Sequence, residues 1–107
     1  MSYVADVILT TFLEGEGIDE PCKGVVELNE WLDSENYGIL QRVDQYTGGR
    51  KAQQADIYLG AFNYLDIGAF VEKIKSIKWV DPEYVQLFLK DEDDDLFNII
   101  IKGDDTL

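Results

Sequence analysis

The residues able to do chemistry in this chain are carboxylates. Five stand together in "KDEDDDLFNIII", residues 90–101, where Asp91, Glu92, Asp93, Asp94 and Asp95 run straight into an apolar stretch. Asp91, Asp93 and Asp95 have the alternating spacing that opens a calcium-binding EF-hand loop. The rest of such a loop is missing. Leu96 stands at its sixth position, where the turn requires glycine, and Lys102 at its twelfth, where a bidentate glutamate is needed. The run is therefore expected to bind calcium only weakly. Bracketed by two strand-like patterns, it reads as a hairpin turn whose charges keep the apolar edge from pairing with other chains. The competing expectation is a docking surface for a basic partner, with loose divalent-cation binding as a lesser option.

A second concentration lies in residues 14–35, with eight acids and one base, Lys23. Asp33 and Glu35 fall near the C-terminal end of an expected helix, where the helix dipole disfavours acids. Acids placed against local stability suggest another demand. Glu27, Glu30 and Asp33 therefore join the five acids of residues 91–95 as candidate partner-binding residues. Asp6 differs from all of these, because it interrupts an otherwise apolar strand. Pairing with Arg42 or a lysine is expected for it, and a place in a site is the alternative.

Several chemistries are excluded by residue type. There is no histidine, which removes Ser-His-Asp and Cys-His arrangements and histidine-based metal sites. The single cysteine, Cys22, allows neither an internal disulfide nor a CxxC motif. No Walker lysine loop and no GxGxxG after a strand occurs. Arg50 and Lys51 are too small a basic point to form a phosphate channel. Composition leaves paired-acid catalysis open, but a catalytic acid needs a pocket and a shifted pKa. Most of these acids fall in expected loops or on helix surfaces. No catalytic residue, metal ligand or cofactor is assigned.

The chain has 107 residues, 22 acids and 9 bases, for a net charge of −13. Such a surface repels nucleic acid and anionic lipid and favours basic partners, although acidity also serves solubility alone. No apolar run approaches the roughly 20 residues of a membrane span. The start, "MSYVADVILTTFLEGEG", lacks a basic region and reads as a strand rather than a signal peptide. With one cysteine, a cytoplasmic location is the expectation.

The elements that must position these residues follow from periodicity. Residues 3–13 alternate as a strand with two largely apolar faces, which suggests a central position. Gly15, Gly17 and Pro21 mark a loop. Val25, Leu28, Trp31 and Leu32 have helical spacing, with Asn36 or Gly38 able to end the helix. Residues 39–46 and 55–64 read as strands joined by a turn at Gly48 and Gly49. Asp66 is placed to cap a helix carrying Ile67, Phe70, Val71, Ile74 and Ile77 on one face. Residues 84–90 and 96–102 read as two further strands, and residues 103–107 as a loose tail.

The expected fold is a single α+β domain spanning 1–107. Its pattern is ferredoxin-like, β-α-β-β-α-β with an extra C-terminal strand, and places two helices on one face of a mainly antiparallel sheet. The other face is left open. Asp6, Tyr58, Phe62, Tyr84 and Phe88 are its candidate residues, together with Val4, Ile8 and Phe12. A second small core under loops, a homodimer contact and a ligand or partner surface would each cover such a face.

"LNEWL" (28–32), "GAFNYLDIGAFVEKIKSIKWVDPEYVQLFLKDEDDD" (60–95) and the "MSYVADV" start resemble a set of small bacterial proteins of unassigned function. Those stretches are structural in character and bring no catalytic residue with them. In size, acidity and layout the chain is also similar to immunity proteins of bacterial toxin systems and to phage-encoded inhibitors of host defence, a similarity of type rather than of motif. The expected function is a small acidic, non-catalytic binding module, with an immunity protein or inhibitor on a basic protein surface as its concrete form. The alternative is a small dimeric enzyme or ligand binder that uses the open sheet face. A structural housekeeping domain is a third reading.

Overall fold

The computed structural model describes residues 3–11, 23–44, 46, 48–51, 55–79 and 81–103. The first strand, β1 (Val4–Thr11), is followed by helix α1 (Lys23–Ser34), strands β2 (Gln41–Arg42) and β3 (Asp56–Asn63), helix α2 (Ile67–Ser76), a single 3-10 turn (Pro82–Tyr84), and strands β4 (Gln86–Lys90) and β5 (Asn98–Lys102). The five strands form one antiparallel sheet in the order β2-β3-β1-β4-β5. β1 is thus the central strand, as its two apolar faces predict.

Alternation along β1 sorts the two faces. Ala5, Val7, Leu9 and Thr11 are buried, whereas Val4, Asp6, Ile8 and Thr10 are half-buried. Ala5, Val7 and Leu9 share a single core with Val25, Leu28 and Leu32 of α1, Phe70 and Ile74 of α2, Leu87 and Leu89 of β4, and Ile101 of β5. Both helices therefore cover the same side of the sheet. Rings knit the layers together, with Phe70 of α2 within 6.5 Å of Phe62 and 6.4 Å of Trp31 between ring centroids.

Helix boundaries follow from local chemistry. The Asp66 carboxylate accepts the Ala69 N–H at 3.0 Å and caps α2, as expected. α1 closes in a Schellman motif. Tyr37 N–H donates to Leu32 O, Asn36 N–H donates to Asp33 O, and Asn36 takes a positive φ of 64°. The accompanying apolar contact is Tyr37 against Trp31.

Three expectations need correction. Tyr58 and Phe62 do not lie on the open face; they are 1% and 2% exposed, in the core. The ladder pairs them with Leu9 and Ala5. Gly60 leaves the room they need, since a Cβ there would come within 2.5 Å of the Phe62 ring. Tyr84 belongs to the 3-10 turn begun at Pro82, and the strand starts only at Gln86. The strand expected over 39–46 shrinks to Gln41–Arg42, because the Asp44 carboxylate, rather than a strand carbonyl, accepts the Ile57 N–H. Phe12, Cys22, the loop at Gly15, Gly17 and Pro21, and residues 104–107 of the tail lie outside the described residues.

Candidate functional site

The acid run is the connection between β4 and β5, and its carboxylates divide into two kinds. Asp94 N–H donates to Asp91 O, closing the turn. Asp91 N–H and Asn98 Nδ2 both donate to Asp94 Oδ2, at 3.0 and 3.1 Å. The Glu92 carboxylate accepts the Val4 N–H at 3.0 Å and ties the hairpin to the start of β1. Asp91, Glu92 and Asp94 thus build the turn, in the manner of side chains that replace backbone acceptors. Asp93 and Asp95 are exposed and take no part in these bonds.

The three α1 acids do not join them on one surface. Glu27 holds Lys73 of α2 at 3.0 Å, so it braces the two helices. Glu30 and Asp33 flank a groove of about 370 Å³ beside the exposed Val26 and Ile39. Asn29, which also lines it, bonds both the N–H and the C=O of Leu40. That groove lies toward β2, at one edge of the sheet, and the acid hairpin lies at the other. Four interstrand steps separate β2 from β5, about 19 Å.

Part of the exposed apolar surface lies on the open face of the sheet. Asp6 stands on it between Ala61 of β3 and Lys90 of β4, and Ile8 stands between Leu59 and Phe88. Phe88 is in turn opposite Ile99 of β5. Asp6 and Phe88 thus stand on the same face of the sheet. Leu59 is 40% exposed, Phe97 44% and Ile99 54%. Phe97, two residues after Asp95, comes together with Asp6, Ile8, Leu59 and Ala61 around a shallow groove of about 450 Å³. Leu59, Phe97 and Ile99 were not singled out from the sequence. The signal for them was the alternation that starts at Asp6, carried across the ladder.

Arg42 is not the partner of Asp6. Its Nε donates to Asp44 at 2.9 Å, and its Nη2 donates to the buried Asp56 at 3.0 Å. The hydrogen bond to Asp44 is the main reason the Arg42 pKa is raised. Burial works against the Asp44 charge, but the bonds from Arg42 and the Ile57 N–H outweigh it and hold Asp44 below the usual carboxylate range. This cluster links the short β2 to the start of β3 and is architectural. Asp6 belongs to none of the ion pairs between described residues.

No group of three or more potential metal-ligating side chains occurs among the described residues, and no helix there is long and apolar enough to cross a membrane. No protein-family model, no curated protein and no solved structure matches this chain.

Proposed function

We propose that this protein is an acidic binding module that docks through its open sheet face on a partner with an apolar patch ringed by lysine and arginine. An immunity protein or inhibitor, acting in the cytoplasm, is its concrete form. The observation that carries the reading is the joining of two surfaces. Phe97 and Ile99 leave apolar area exposed on one sheet face, and the exposed Asp93 and Asp95 lie in the turn that leads into the same strand. Apolar patches of this kind mark interaction sites. A rim of one charge sign steers a partner of the other sign. The order β2-β3-β1-β4-β5 supports a ferredoxin-like scaffold with β5 added beside β4. β5 widens the open face on the side where the acids stand.

A second reading is favoured by the groove at Asp6. Its volume of about 450 Å³ falls in the range of small-molecule sites, so a ligand binder or a dimer across this face is the alternative. Association with a second copy would set one charge of −13 against another.

Tagged protein captured from host lysate, followed by kinetics with the purified captured partner, tests the proposal. Leu59→Asp with Ile99→Asp should abolish binding. Asp93→Asn with Asp95→Asn should slow association, and Val26→Asp on the helix side should change neither. Full binding by the doubly substituted face would contradict the proposal.

A further inference from the structure

We infer that the groove at Asp6 receives a single lysine or arginine side chain of the partner. This inference rests on the docking proposal and names what its central contact recognises. A long cationic side chain has an apolar stem and a charged tip, and the lining of the groove holds a partner for each. Ile8, Leu59 and Phe97 line it with apolar side chains, and Asp6, half-buried on the central strand, adds one carboxylate to the lining. The described ion pairs engage Arg42 with Asp44 and Asp56, and Lys73 with Glu27, and Asp6 takes part in none of them. An anionic ligand is disfavoured by Asp6 and by the net charge of −13. A purely apolar ligand would bury the carboxylate without a counter-charge, which is costly. A cation with an aliphatic stem avoids both penalties. Lys90, opposite Asp6 in the β1–β4 ladder, is the internal cation nearest in register and therefore the competitor.

Nuclear magnetic resonance titration of the full chain with n-hexylammonium chloride tests this, with hexan-1-ol and hexanoate as controls. Hexylammonium should shift the amides of Asp6, Ile8, Leu59, Ala61 and Phe97. It should bind about threefold tighter than hexanol, the advantage a partly exposed ion pair supplies. Asp6→Asn should erase that advantage while leaving the spectrum of the free protein dispersed. Lys90→Gln, which keeps Asp6, should tighten hexylammonium binding and serves if the Asp6 variant does not fold. Equal binding of hexanol and hexylammonium by the wild type would overturn the inference, as would an unchanged response in Asp6→Asn. Shifts confined to residues 91–95 would overturn the groove assignment while leaving the acidic docking surface standing. Shifts at neither place would count against both.

Discussion

At the residue scale the acid run shows why residue type alone does not assign a role. Five neighbouring carboxylates divide into three that fold the hairpin and two that face solvent. Asp94→Ala removes the acceptor shared by Asp91 N–H and Asn98 Nδ2. It should lower unfolding stability by about 1 kcal/mol in urea. Asp93→Asn and Asp95→Asn should each stay within about 0.5 kcal/mol of wild type. The Arg42 cluster behaves differently, because its carboxylates are sheltered. Arg42→Met would leave the buried Asp56 without this partner and should cost about 3 kcal/mol. Asp44 also makes stability depend on pH. Its folded pKa lies below the ordinary value of 3.8. Its stabilising contribution is therefore present above that value and is lost as pH falls through the depressed folded one. Urea titrations through the acid range should show a smaller loss of stability for Asp44→Asn than for wild type.

At the scale of elements, α2 was legible in its start and its apolar face, although it ends at Ser76, and Ile77, expected on that face, is its extended C-cap. Its capping aspartate and its i, i+3, i+4, i+7 apolar spacing both lie within the segment itself, and Phe70 and Ile74 are buried as that spacing requires. Asp66→Ala should cost about 1 kcal/mol through the lost cap, read as a lowered melting temperature. β3 was legible as a strand but not in its orientation. It is apolar on both faces, so a period of two leaves open which face turns to the helices. The packing of large rings decides it, with Gly60 beside them. Gly60→Ala would force the Phe62 ring and Leu40 aside and should destabilise by about 1–3 kcal/mol. A neutral result in chemical denaturation would show that the Phe62 ring can move freely. The early end of β2 was not legible, because a side chain 13 residues away in sequence takes over a backbone acceptor's role. Of the candidate site, Asp6 was visible as a break in an apolar pattern. Leu59 and Phe97 look like ordinary core residues until the register places them around it.

For the whole molecule, the two faces of the sheet differ in what covers them. Helices and core occupy one side of the sheet. The other side carries the exposed Leu59, Phe97 and Ile99 together with Asp6, and the charge of −13 belongs to the entire chain. Light scattering at physiological salt should therefore find a monomer, and a dimer dissociated by Ile99→Asp would instead favour the homodimer reading. Screening over about 8–10 Å should make capture of a basic partner slower as salt rises, with dissociation less affected. The most direct test is photo-crosslinking of the working complex in cells, with a benzophenone amino acid placed at Leu59, at Ile99 or, as a control, at Val26 on the helix side. Crosslinks from Leu59 and Ile99 to one protein, at peptides rich in lysine or arginine and absent from Val26, are the predicted result. Crosslinks only from Val26, or from the sheet face only to a second copy of this chain, would contradict the account.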